Sequence, residues 1–501
     1  MNIAEFLRLG FEVAFQPSNI LYVFLGVLIG MVIGVLPGLG ASATIALLLP
    51  VTYGMEPESA IIMLAGIYYG SIYGGTITAV LVQLPGEANS AITLLDGYPM
   101  ARQGRAGPAL GIAAIGSFLG GTLAIVGLSL FAPLLAQVAV NFGPPEYTVL
   151  TVLGILLVTY LGTNSVTKSL IMAALGLFLA TVGQDPITGT SRFTFGSLGL
   201  LDGLSFVAIA MGVFGVGEIL YNLERRVRGG DTGVAVSRVL PTMADWLQSR
   251  WAIARGAVIG FLIGILPGGG GVLSSMASYT AEKKLARDPQ RFGRGAIEGV
   301  AGPETANNAG ATSAFIPLLT LGIPTNAVTA LLFGALLIQG ITPSPQLIED
   351  QPELFTGVIS SMYLGNLFLL LMSIPLIGVF IQILRIRMTI LGPLAVMVTM
   401  VGVYSLDNDS FNMWVVLCFG VLGYVMRKTG FPPGPLVLAF VLGPIMETSF
   451  RQSLLISEGS LAIFVTRPGS ASVLAFGALV IAATAIQYIR KKRRANVTTG
   501  A

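Results

Sequence analysis

The chain has 501 residues, of which 54% are hydrophobic and 10% charged, with a formal net charge of +3. Soluble domains carry roughly 25% charged residues. With a mean hydropathy of +0.83, the composition excludes a soluble globular enzyme, a disordered chain and a nucleic-acid binder, and it describes a polytopic membrane protein.

The chain holds no histidine, which removes His-based triads, HExxH metal sites and imidazole proton relays. The single cysteine, Cys418, stands in the apolar run NMWVVLCFG and reads as a buried small hydrophobe. None of the six lysines follows a glycine, so no P-loop is present. With no paired buried carboxylates either, the chain reads as no enzyme, without metal or cofactor other than a coupling Na⁺ or H⁺.

The first residues, MNIAEFLRLGFEVAFQPSN, mix Glu5, Arg8 and Glu12 and lack the pattern of a signal peptide. They predict a short amphipathic helix at the membrane surface. Residues 13–55, 106–145 and 305–348 contain no charged side chain. One span needs about 20 apolar residues, so each stretch holds two segments or one broken segment. Apolar centres fall near residues 27, 47, 70, 120, 154, 175, 210, 260, 276, 308, 332, 368, 396, 418, 438 and 478. Several must be half-helices, so the expected fold is all-α, with roughly 10–14 membrane segments.

Basic residues orient the chain. Arg225, Arg226, Arg228, Arg238, Arg250 and Arg255 form one cluster, Lys283, Lys284, Arg287, Arg291 and Arg294 a second, and residues 490–494 a third. The positive-inside rule puts all three in the cytoplasm. The expected division is a first membrane repeat over 1–221, a cytoplasmic linker over 222–250, and a second repeat over 251–501 with extra C-terminal helices and a basic tail.

The halves echo each other. GMVIGVLPGLG (30–40) and GFLIGILPGGG (260–270) agree at seven of eleven positions, 230 residues apart. Each copy is followed by a polar cluster of small residues, YGGTITAVLVQLPGEANS (73–90) and GPETANNAGATSAFIPLLTLGIPTNAV (302–328). Residues 256–281 are uncharged between basic flanks, which predicts two arms of about 15 residues, ~22 Å each. That is short of a ~30 Å core. The second copy then enters from the cytoplasm and turns near mid-membrane, and the first, without basic flanks, enters from outside. Inverted repeats with broken helices mark secondary transporters.

The broken segments nominate a site. Pro37 and Pro267 remove backbone donors, and Gly38, Gly40, Gly268 and Gly270 permit a non-helical turn. Freed carbonyls could ligate a cation, and freed N–H groups a carboxylate. Ser42, Thr44, Ser274 and Ser275 follow the turns and could add hydroxyls. The pair Gly30 and Gly34 reads instead as close helix packing. Asn307 and Asn308 are expensive in lipid unless they face a cavity or partner. Glu304 and Asn308 lie on one helical face as a cation site or proton carrier; the plainer reading is a helix cap. Glu87 and Asn89, after Pro85, read the same way. Gly75, Thr76, Thr78, Thr312, Thr325 and Asn326 could support the site or simply join helices. Lys168, in GTNSVTKS, fits a loop better than an intramembrane cation.

GVLPGLGASATIALLLP (34–50), YYGSIYGGTITAVLVQLPGEANSAIT (68–93), DGYPMARQGRAGPAL (96–110), GILPGGGGVLSSMASY (264–279), GPETANNAGAT (302–312) and LGIPTNAVTALLFGALLIQGITPSPQ (321–346) resemble the TctA family, the large membrane subunit of the bacterial tripartite tricarboxylate transporters. The resemblance runs along nearly the whole chain. It implies a multi-pass permease of the bacterial inner membrane, working with a small TctB-like membrane subunit and a periplasmic TctC-like solute-binding protein. It also implies ion-driven uptake of citrate-like or other di- and tricarboxylates. The alternative function is a passive anion channel.

Overall fold

A computed structural model describes residues 3–36, 38–84, 86–161, 165–224, 236, 239–383 and 388–479. The first half contains α1 (Ile3–Ala14), α2 (Pro17–Gly34), α3 (Ala41–Leu48), α4 (Pro57–Val82), α5 (Leu94–Met100), α6 (Ala106–Ala139), α7 (Pro144–Leu161), α8 (Val166–Leu179), α9 (Phe206–Ala210) and α10 (Gly217–Glu224). A π-helical turn, Met211–Val216, joins α9 and α10 into one rod. The second half contains α11 (Met243–Gly264), α12 (Gly270–Leu285), α13 (Glu298–Ser313), α14 (Phe315–Leu321), α15 (Ala327–Ile338), α16 (Leu347–Asp350) and α17 (Pro352–Ser373). It continues with α18 (Ile377–Ile383), α19 (Met388–Asp407), α20 (Ser410–Thr429), α21 (Pro433–Ile456) and α22 (Ile463–Thr466). The described strands are the two-residue pair β1 (Gly183–Gln184) and β2 (Ser191–Arg192), antiparallel in a loop.

Local chemistry accounts for many of these ends. Proline opens α2, α4, α17 and α21, where its missing N–H would have had no partner. Thr242 and Asp245 cap α11 reciprocally, and Asn326 and Thr329 do so for α15. Gly430 closes α20 in the left-handed conformation. Among the described residues, seven helical rods are long and apolar enough to cross a membrane. All sixteen apolar centres named above fall inside helices. The chain is an all-α polytopic membrane protein.

Two helix pairs carry the core. Gly26, Gly30 and Gly34 on α2 lie directly on α4, where a Cβ would strike the carbonyls of Met63, Ile67 and Ser71. Gly256, Gly260 and Gly264 on α11 meet α13 in the same way, against the carbonyls of Gly302, Ala306 and Gly310. Without a hydrophobic drive between helices in lipid, such close backbone contact is what holds them together. The packing reading of Gly30 and Gly34 therefore holds, and it extends to the equivalent glycines 230 residues on.

Several expectations need correction. Helix α11 is 22 residues long, not an arm of about 15, whereas α12, at 16 residues, has the expected length. Arg255 makes a two-pronged pair with Glu282 of α12, at 2.7 and 2.6 Å, so the charges that seemed to end the arm lie inside it. The proposed linker 222–250 is helical at both ends, through Glu224 and from Met243. Helix α1 is amphipathic, and its buried face packs on α17 through Phe6 and Phe355. Lys168 stands in the first turn of α8, not in a loop; its Nζ donates to the Thr429 carbonyl at 2.7 Å. Cys418 is exposed rather than buried. Arg225, Arg226, Arg228, Arg238 and the tail cluster lie outside the described residues.

Candidate functional site

The site begins at the two glycine turns. Helix α2 ends at Gly34 and α3 starts after Gly40; α11 ends at Gly264 and α12 starts at Gly270. Between them the chain reverses through Gly38 at φ +86° and Gly268 at φ +78°, backbone that glycine adopts without strain. Asn222 of α10 donates its amide to the Gly38 carbonyl at 3.1 Å. Gly268 donates its N–H to the Thr325 carbonyl at 2.7 Å. In each copy the hydroxyl four residues past the second glycine folds back on its own helix. Thr44 donates to the Gly40 carbonyl at 3.0 Å, and Ser274 to the Gly270 carbonyl at 2.8 Å.

Two polar loops complete the arrangement. Helix α4 stops at Gln83, which is left-handed at φ 60°. Glu87 and Ser90 then cap a short turn over Ala88–Ala91, and Asn89 donates to the Glu87 carboxylate. Gly75 lets Glu87 lie against α4: a Cβ there would meet the Glu87 Cβ at 3.1 Å. In the second half, α14 stops at left-handed Gly322, and Asn326 starts α15.

These four segments surround one cavity of about 420 Å³. Gly38, Gly40, Ser42, Glu87, Asn89, Gly268, Gly270, Thr325 and Asn326 all line it. The remaining candidates stand behind that wall or in helix packing. Glu304, fully buried on α13, accepts from Thr76 at 2.8 Å and from Thr93. Asn308 donates to the Glu304 carbonyl at 3.4 Å. Asn307 is buried with both amide atoms unpartnered; a Cβ on Gly271 would touch it and Asn89 together. Thr312 donates to the Tyr69 hydroxyl at 3.3 Å, and Ser275 to the Pro303 carbonyl at 3.1 Å. Thr78 donates within α4. Pro267 sits in the second turn, beside lining residue Gly268, and Pro37 and Pro85 lie outside the described residues.

Three polar wall residues escape a reading of the sequence alone: Tyr68, Glu218 and Arg427. Arg427 occupies the last turn of α20 and pairs with Glu218 of α10. Beside Lys428, at the end of an apolar run, it resembles an ordinary basic flank. Thr93 was also hidden, since only folding brings it to Glu304. The arrangement offers hydroxyls, amides, main-chain groups, two carboxylates and one guanidinium around a space large enough for a small polar molecule.

The model for the Tripartite tricarboxylate transporter TctA family matches residues 20–438. A protein of Agrobacterium vitis named "Uncharacterized 52.8 kDa protein in TAR-I ttuC' 3'region" is 49% identical over 496 residues, 98% of each chain. A second, "Uncharacterized protein in TAR-II ttuC' 3'region" of the same organism, is 49% identical over 234 residues, 47% of this chain and 97% of that one. No solved structure matches.

Proposed function

This chain belongs to the tripartite tricarboxylate transporter TctA family, and from that membership we propose that it is the permease that imports tricarboxylates or related carboxylates across the bacterial inner membrane. It receives substrate from a periplasmic solute-binding protein and works beside a small membrane subunit. A Na⁺ or H⁺ gradient drives it.

One observation carries this reading: both glycine turns and both polar loops converge on a single cavity inside a membrane helix bundle. Non-helical backbone at membrane depth is tolerated where it lines such a space. The two halves act as inverted repeats, and one rocks or slides against the other to alternate access to the cavity. The substrate carboxylates bind at the turns, and the coupling cation binds among Glu87, Asn89, Glu304, Asn307 and Asn308. Glu87 and Asn89 line the cavity, Asn307 lies against its lining residue Gly271, and Glu304 and Asn308 are buried on the same helix as Asn307.

Uptake of labelled citrate, malate and succinate into proteoliposomes, with the small subunit and binding protein supplied, tests this. Saturable uptake that depends on a Na⁺ or H⁺ gradient is expected. Uptake indifferent to every gradient would refute coupling, and symmetric, non-saturating flux would make the chain a passive anion channel.

A further inference from the structure

Among the described residues lining the cavity, the formal charges are two carboxylates, Glu87 and Glu218, and one cation, Arg427. These sum to net negative charge even with Arg427 counted, so an anion entering this space depends on access to that one cation. Arg427 pairs with Glu218 through Nη2. Its Nε is buried and has no hydrogen-bond partner. A guanidinium is a fork suited to two parallel bonds with a planar carboxylate, and here one prong is unused.

We infer that Arg427 is the receptor for a substrate carboxylate, and that Glu218 is the stand-in that occupies it between transport events. This rests on the transport reading above and deepens it. An incoming carboxylate takes Nε and an Nη together, satisfying the buried donor that Glu218 leaves unpaired. The exchange trades one carboxylate for another, so the guanidinium is never left without a counter-charge. Released Glu218 faces the cavity water. It is on the same short helix as Asn222, whose amide holds the Gly38 carbonyl. Occupancy at Arg427 is thereby felt at the first glycine turn, one helical turn further along α10.

One fork accepts one planar oxyanion, and Ser42, Asn89, Thr325 and Asn326, which line the same cavity, supply neutral hydroxyls and amides.

The test is equilibrium binding of radiolabelled citrate, malate and succinate to the full chain in lipid nanodiscs. Arg427→Gln is expected to weaken binding about thirtyfold or more, and Arg427→Lys, which keeps charge but not the fork, about tenfold. Glu218→Gln removes the competitor and is expected to tighten binding about threefold. The double variant Arg427→Gln/Glu218→Gln leaves no stranded charge, so it keeps the test valid if Arg427→Gln alone fails to fold, and it should still bind as weakly as the single arginine variant. A double variant that binds as tightly as the wild type would reduce the pair to a structural tie and overturn the inference while leaving the transport reading intact. A wild-type chain that binds and transports none of the three acids overturns the transport reading, and this inference with it.

Discussion

At the first turn, a side chain from outside the motif, Asn222, holds the Gly38 carbonyl; at the second, main chain holds main chain, Gly268 to Thr325. The helices entering the two turns are packed alike, glycine face against backbone carbonyls. The arms leaving them differ again. Arm α12 is bound to α11 by the Arg255–Glu282 pair, whereas α3 carries no acidic or basic residue. Close glycine packing is thus common to the two helices that enter the turns, while one turn is anchored by a side chain and the other by main chain.

Breaking the shared packing has the largest effect. Gly34→Leu and Gly264→Leu each force a side chain into a carbonyl of the facing helix, and each should destabilise the protein by about 3 kcal/mol or more. Thermal melting in detergent checks this, and one tolerated substitution would end the equivalence of the two halves. Next comes the residue that joins them, since Glu304 of the second half is bound by Thr76 and Thr93 of the first. Glu304→Gln, and likewise Asn308→Ala, should lower uptake at least about a hundredfold while membrane insertion and melting stay near wild type. Normal uptake in both would remove this layer from the mechanism.

Arg255→Ala sharpens the contrast between the arms. It strands Glu282, whose side chain is 4% exposed, but Arg255 itself is partly solvated. A loss of about 2 kcal/mol is expected, with hydrogen exchange rising in α11 and α12 and unchanged in α2 and α3. The smallest effect belongs to Asn222→Ala, about 1 kcal/mol. It should raise exchange around residues 38–44 alone and slow uptake severalfold; equal loosening of residues 268–274 would show that the turns are not independently held.

What could be read from the residues divides along physical lines. Glycine, proline and amides in apolar surroundings stand out because lipid has no use for them, so the turns and the clusters at 87–89 and 304–308 were visible beforehand. Ion pairs hide charge: Arg255 looked like the end of a membrane arm because its partner Glu282 is 27 residues away. Arg427 has no signal of its own in the sequence, because only the packing of α10 on α20 brings Glu218 and the cavity to it. Residues such as Ser274 and Thr44, picked for their hydroxyls, turn out to satisfy their own helices. Their composition says that they can donate, but not to what.

Cys418 lies on the outer side of α20, roughly two and a half turns before Arg427 on the same helix. The unaltered chain therefore carries its own single attachment point for a thiol-reactive fluorophore, with no competing sulfhydryl to remove first. A dye placed there would ride on the helix that bears the guanidinium, and its signal would report in real time whether that rod tilts when an acid arrives.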